Sequence, residues 1–169
     1  MSDNNGQARV GVFVCDCGTN IAGKVNVPEV VDFASKLDNV IVAKEYKFMC
    51  SDPGQELIKE AIRTNDLSRV VVASCSPLMH EPTFRGAVTE EGMNPFYFQM
   101  SNIREHVSWV TEDPDAATKK AKALVSAAVR RVVFHDPLTK KEVPVRPEVL
   151  IVGAGIAGIH AALTYANSG

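Results

Sequence analysis

The sequence of 169 residues lacks a strong excess of charge of either sign. It holds 18 lysine and arginine residues against 20 aspartate and glutamate residues, so its formal net charge is −2. Proteins that bind nucleic acid or an anionic membrane surface usually carry a basic patch. Neither class of partner is therefore expected.

Long apolar runs are also missing. No stretch approaches the roughly 20 residues that span a bilayer, so we expect no membrane segment. The first nine residues, MSDNNGQAR, are polar and lack the apolar region of a secretory signal, which predicts a cytoplasmic location. Thiols stay reduced in that compartment, and a set of cysteines there favours metal binding or redox chemistry over structural disulfides.

Several catalytic motifs are absent as well. The sequence shows no catalytic triad, no paired-carboxylate site, no P-loop, no internal repeat and no low-complexity segment. With 46% apolar residues, the chain is still long enough to bury an ordinary core without disulfides. The chemistry must therefore be sought elsewhere.

Apolar, β-branched runs alternate with helical patterns over residues 9–135. Strands are predicted at 9–14, 40–46, 69–73 and 95–100. Helices are predicted at 28–37, 53–64, 82–91, 102–109 and 114–133. This order predicts an α/β fold, a small parallel sheet of the flavodoxin or Rossmann type with helices on both faces.

Composition divides the chain into four parts. We expect a disordered tail at 1–8, the α/β domain at 9–135, a linker with three prolines at 136–148, and the start of a second Rossmann domain at 149–169. The last part is predicted to begin with a strand at 149–152, followed by a helix.

The four cysteines are the most informative residues. Cys15 and Cys17 follow the first predicted strand, Cys50 follows the second and Cys75 follows the third. Because the carboxyl ends of parallel strands meet at one edge of a sheet, we expect the four thiols to converge there. Helices that begin after Cys50 and Cys75 would direct backbone amides toward these sulfurs.

Several roles fit such a set. An iron–sulfur cluster is favoured over structural zinc, because zinc sites usually use paired C-x₂₋₄-C ligands and only the close pair Cys15 and Cys17 exists here. A zinc-stabilised docking domain without electron transfer remains the main alternative. A [2Fe-2S] cluster, a Cys15–Cys17 dithiol switch and plain buried cysteines stay open.

Two groups of charged residues are further candidates for the site. His80-Glu81 follows Cys75, and Arg104-Glu105-His106 forms a second group. Either could line a metal pocket or a docking surface, although local surface contacts are the more common role for such residues.

A glycine motif lies near the end of the sequence. The run VLIVGAGIAG places Gly153, Gly155 and Gly158 between an apolar run and an alanine-rich helical segment, which is the context of a dinucleotide-binding fingerprint. These glycines permit a tight turn, approach of a pyrophosphate and close helix packing.

The sequence resembles the N-terminal part of the A subunits of heterodisulfide reductases over residues 9–169. The resemblance is carried by VFVCDCGTNIAG, YKFMCSDPGQELIKEAI, VVVASCSPLMHEPTFR, SNIREHVSWV and VLIVGAGIAGIHAALTYANSG. In that family the A subunit is an iron–sulfur flavoprotein that bifurcates electron pairs at FAD, between ferredoxin and a heterodisulfide of methanogenesis.

The resemblance implies a [4Fe-4S] cluster held by Cys15, Cys17, Cys50 and Cys75. It implies FAD contacts at Gly153, Gly155 and Gly158 in the full-length protein, with FAD absent from this shorter chain. It also implies B and C subunits, a hydrogenase or other electron donor, ferredoxin and a dimeric complex. The chain alone is expected to be inactive as a reductase, and no residue in it is expected to be catalytic.

Overall fold

A computed structural model describes residues 8–168 of the chain. Apart from Ala8, the tail expected at residues 1–8 lies outside this range. The chain divides into two compact units, Met1–Leu138 and Thr139–Gly169.

The first unit is an α/β fold with a four-stranded parallel sheet, as the alternating pattern predicted. Its strands are β1 (Val10–Cys15), β2 (Val40–Tyr46), β3 (Arg69–Ser74) and β4 (Phe98–Asn102). Its helices are α1 (Val27–Ser35), α2 (Asp52–Asn65), α3 (Pro77–Glu90), a π-helical turn (Arg104–Ser108) and α4 (Pro114–Val132).

The strand order is β2-β1-β3-β4, so β1 and β3 are central. Strand β2 lies on one side of β1 within the sheet. After β2 the chain returns past β1, so that β3 and β4 lie on its other side. In parallel sheets the point where the order reverses leaves a crevice at the carboxyl ends of the strands, where ligands bind. That crevice lies between β1 and β3.

Apolar side chains cover both faces of the sheet. Val12 and Val14 of β1 belong to a core with α1 and α4, whereas Phe13 and Cys15 belong to a core with α2 and α3. Successive strand residues point to opposite faces, which explains the alternation. A continuous apolar run is what a strand buried on both faces requires.

Two elements of the first unit begin three or more residues from their predicted starts. Helix α3 begins at Pro77 and not near Pro82, because Ser76 accepts a hydrogen bond from the Leu78 amide and caps it there. Strand β4 begins at Phe98, three residues later than predicted.

The second unit contains helix α5 (Ile156–Asn167). The strand predicted at residues 149–152 is wrong, since this segment has no regular structure. A strand is defined by pairing with a neighbour, and within residues 139–168 this segment has no second strand to pair with. None of the helices between residues 8 and 168 combines the length and apolar character needed to cross a membrane.

Candidate metal centre

All four cysteines lie at the carboxyl ends of three neighbouring strands. Cys15 is the last residue of β1, with Cys17 two positions later. Cys50 lies four residues beyond the end of β2, and Cys75 directly follows β3. We refer to this region as the cysteine edge. The topology thus places all four cysteines at one edge of the sheet, and their joint role as metal ligands stays a prediction.

Backbone hydrogen bonds hold the first two cysteine-bearing loops together past the strand ends. The Asp16 amide donates to the Tyr46 carbonyl at 3.1 Å, and the Gly18 amide donates to the Lys47 carbonyl at 3.2 Å. These bonds extend the β1–β2 pairing into the loops. The position of the second loop is therefore fixed by the sheet and not by its own sequence alone.

The Cys15 sulfur is already surrounded by donors. The amides of Cys17 and Met49 each donate to it at 3.3 Å, and the residue is only 4% exposed. Amide hydrogen bonds to sulfur stabilise a thiolate and raise the potential of a metal centre bound through it. Cys15 is therefore a core residue whose sulfur lies where two backbone amides would stabilise a thiolate.

The chain reverses sharply after Cys15. Cys17 has φ of 49° and Gly18 has φ of 60°, so two successive residues adopt the left-handed conformation. This conformation costs a non-glycine residue roughly 1–2 kcal/mol. Such strain concentrates at functional sites, where the surrounding structure enforces it.

Burial controls the acidity of two thiols. It raises the pKa of Cys15 to about 11, partly offset by the amides of Met49 and Cys17 and increased by the charges of Cys17 and Cys50. Burial also raises the pKa of Cys75, where Arg104 opposes the effect and the charges of Cys17 and Cys50 add to it. A metal bound here would have to displace protons from these thiols.

The charged group Arg104-Glu105-His106 lies at the cysteine edge. Arg104 follows β4 and donates to the Cys17 sulfur at 3.2 Å, a contact that its charged sequence pattern allowed but did not specify. Its neighbour Glu105 accepts from the same guanidinium at 2.8 Å, while His106 is exposed.

The group His80-Glu81 makes local contacts within α3. Glu81 pairs with Arg85 at 2.6 Å, and His80 packs edge-on against Phe84. This is the surface role that the sequence pattern most often indicates.

Electrostatics at Arg104 and Glu105 reflect their pairing. Burial lowers the pKa of the Arg104 guanidinium, but its hydrogen bonds to Glu105 and Cys17 outweigh that effect, and the pKa lies above its usual value. Burial raises the pKa of Glu105, but the hydrogen bond from Arg104, the backbone amides of Glu105 and Ser76 and the Arg104 charge together outweigh this and hold the pKa below its usual range. Both groups are charged near neutral pH.

The donor set fits a thiolate-bound iron centre. Two buried oxygens near the cysteine edge, the Ser74 hydroxyl and Glu105 Oε2, have no hydrogen-bond partner among the described residues. Buried polar atoms are almost always partnered. The Ser74 hydroxyl can donate to a sulfide or thiolate and so fits an anionic centre at this edge, whereas the Glu105 oxygen can only accept a hydrogen bond. Within residues 8–168, no three His, Cys, Asp or Glu side chains form a ready site for a single metal ion.

The glycine motif in the second unit has the turn and the helix start of its fingerprint, without the preceding strand. Gly153 has φ of 106°, which only glycine adopts without strain, and a Cβ on Gly158 would collide with the Gly153 carbonyl. A Cβ on Gly155 would meet nothing within 4 Å, and helix α5 begins at the next residue. The open position lies at a helix N-terminus, where a phosphate is favoured.

Curated relatives match nearly the whole chain. One of two iron-sulfur A subunits of the CoB–CoM heterodisulfide reductase of Methanopyrus kandleri is 54% identical over 164 residues, which is 96% of this chain and 25% of that protein. The iron-sulfur A subunit of the CoB–CoM heterodisulfide reductase of Methanocaldococcus jannaschii is 55% identical over 162 residues, covering 95% and 25%.

A third relative has a name that includes ferredoxin. It is the A subunit of the H(2):CoB-CoM heterodisulfide,ferredoxin reductase of Methanothermobacter marburgensis, which is 51% identical over 164 residues, covering 96% of this chain and 25% of that protein. The chain therefore spans about a quarter of the length of the relatives it matches. No family model matches it.

Proposed function

Because the chain belongs to the family of heterodisulfide reductase A subunits, we propose that residues 9–135 form its iron–sulfur electron-transfer domain. One observation carries the proposal. All four cysteines of the chain lie at the carboxyl ends of adjacent parallel strands, in a protein about half identical to relatives that are named iron–sulfur subunits.

The thiolates of Cys15, Cys17, Cys50 and Cys75 would hold a [4Fe-4S] cluster. When bound, such a cluster accepts and returns single electrons. The chain's own contribution is electrostatic: the amides of Cys17 and Met49 donate to the Cys15 sulfur, and burial of Cys15 and Cys75 excludes water. No side chain of this domain needs to act as an acid or a base.

Anaerobic purification of the 169-residue chain tests the proposal. A brown protein with about four irons and four sulfides per chain, and an EPR signal on reduction, is the expected result. A colourless protein with one zinc per chain would contradict it and support the zinc-stabilised docking domain. About two irons and two sulfides per chain would identify a [2Fe-2S] cluster.

Single substitutions test the ligand set. Cys50→Ser and Cys75→Ser should each abolish stable iron binding, because the hydroxyl that replaces the thiol is a much weaker ligand for iron. Ser76→Ala is the matched control: it lies next to Cys75 and loses the cap of α3 but removes no sulfur, so it should keep its iron. Full iron content with an unchanged spectrum in either cysteine variant would exclude that residue as a ligand.

The remaining parts of the proposal concern the longer protein. Gly153, Gly155 and Gly158 would take the phosphates of FAD, a role supported by the turn at Gly153 and the open position at Gly155. We further propose flavin-based electron bifurcation, with ferredoxin, B- and C-type subunits and a hydrogenase or other donor as partners. The 169-residue chain should show no heterodisulfide reduction by itself, and measurable turnover would contradict its role as an electron-transfer module.

A further inference from the structure

Each of the four parallel strands delivers a chemically active side chain to the cysteine edge. Strands β1, β2 and β3 deliver cysteines, and β4 delivers Arg104, which lies two residues beyond Asn102. The ends of β3 and β4 are in register, since Ser74 pairs with Asn102. Arg104 therefore lies just beyond the end of β4, as the cysteines lie at or just beyond the ends of the other three strands.

Contacts on several sides fix the orientation of the Arg104 guanidinium. It donates to Glu105 at 2.8 Å, stacks on Trp109 at 4.9 Å, and approaches the Met79 sulfur at 2.9 Å. The side chain is only 11% exposed. Its Nη1 donates to the Cys17 sulfur, 3.2 Å away. The π-helical turn that carries it is an uncommon element that is frequently found at functional sites.

A second arginine shows what is unusual about this one. Arg85 is also paired with a carboxylate, that of Glu81, and also lies over aromatic rings, those of Phe96 and Phe98. Its Nη1 donates to the Pro95 carbonyl, as in an ordinary structural arginine. Pairing and stacking alone therefore do not account for a guanidinium directed at a cysteine sulfur.

We propose that Arg104 is a positioning residue that raises the reduction potential of the metal centre, through its charge and its hydrogen bond to the Cys17 sulfur. The inference rests on the proposed iron–sulfur function and specifies how this chain tunes it. Glu105 acts in the opposite direction, because it partly cancels the guanidinium charge.

The direction follows from charge. A cluster bound by four thiolates is an anion, and reduction adds one more negative charge. A nearby fixed cation therefore stabilises the reduced state more than the oxidised state. The arginine side chain is largely buried, so solvent screens this interaction less than it would screen a surface pair.

Redox titration followed by EPR on the reconstituted 169-residue chain measures the effect. Arg104→Gln should lower the equilibrium constant for reduction of the cluster about tenfold, because it removes the cation and leaves Glu105 unpaired. For one electron this is a fall in reduction potential of about 59 mV. Glu105→Gln should shift the potential upward, and Arg104→Lys should stay within about threefold of the wild-type equilibrium because it keeps the charge.

Arg85→Gln is the matched control and should leave the potential unchanged. Iron content and thermal unfolding of each variant separate a change in potential from a loss of folding. A merely structural defect would not move the potential in opposite directions in Arg104→Gln and Glu105→Gln. Shifts of the same sign in these two variants, or a shift in Arg104→Gln no larger than in Arg85→Gln, would overturn the inference.

The same measurements distinguish failure of the proposed function from failure of this inference. If the wild-type chain binds no iron, the iron–sulfur function and this inference are both wrong. If the wild-type chain carries a cluster and Arg104→Gln leaves its potential unchanged, only the role of Arg104 is wrong.

Discussion

Substitution of Gly54 by alanine should disturb both stability and the loop that presents Cys50. Gly54 is the third residue of α2 and is buried against the preceding loop. A Cβ at this position would lie 2.5 Å from the Met49 carbonyl oxygen, 2.6 Å from its Cα and 2.7 Å from its carbonyl carbon. All three atoms belong to the backbone directly before Cys50, so no side chain can rotate away.

The expected magnitude combines two opposing terms. Overpacking of a well-packed site costs roughly 1–3 kcal/mol, and rigid backbone on the opposing side favours the upper end. Alanine in place of glycine within a helix regains about 1 kcal/mol. We therefore expect Gly54→Ala to lower the free energy of unfolding by about 2 kcal/mol and to weaken iron retention as the loop shifts.

Denaturant unfolding and iron content measure the two effects. Gly86→Ala is the matched control, because Gly86 lies in helix α3, is exposed, and a Cβ there would meet nothing within 4 Å. This variant should be more stable than the wild type by about 0.5–1 kcal/mol and should keep all its iron. If Gly54→Ala proved as stable as Gly86→Ala, the packing of α2 against the Met49 backbone would be refuted.

Two further predictions concern the fold. Asp113→Ala should lower the free energy of unfolding, measured by denaturant titration, by about 1 kcal/mol, because the Asp113 side chain accepts a hydrogen bond from the Ala116 amide and caps α4. The control Asp115→Ala loses no cap and should lower the free energy of unfolding clearly less, so equal losses in the two variants would contradict the capping role. Removal of Thr139–Gly169 should leave the unfolding midpoint of Met1–Leu138 unchanged, because the core residues of that unit all lie between Val10 and Val132; a large drop measured by circular dichroism would contradict this.

The sheet and the grouping of the cysteines could be predicted because both depend on local pattern. Strand β2 has the bounds that its apolar run indicated, Val40–Tyr46, and helix α4 begins where Asp113-Pro114 signals a cap and a first turn. Parallel pairing then follows from alternation. The shared edge of the four thiols follows from parallel pairing.

The finer arrangement depends on contacts between distant segments. The contact between Arg104 and Cys17 joins residues 87 positions apart, so no local pattern specifies it. Helix α3 contains both Pro77 and Pro82, and either could have opened it. The strand at residues 149–152 required a partner that its own apolar sequence does not supply.

Apolar layers on both faces of the sheet should let this domain fold whether or not the proposed cluster is bound. In small domains that a metal holds together, loss of the ion unfolds the chain. Here the cores of both faces are complete in the side chains themselves. A protein stripped of its iron by an oxidant would keep its sheet and the positions of its loops. For the proposed cluster, iron and sulfide would then be inserted into a chain that is already folded.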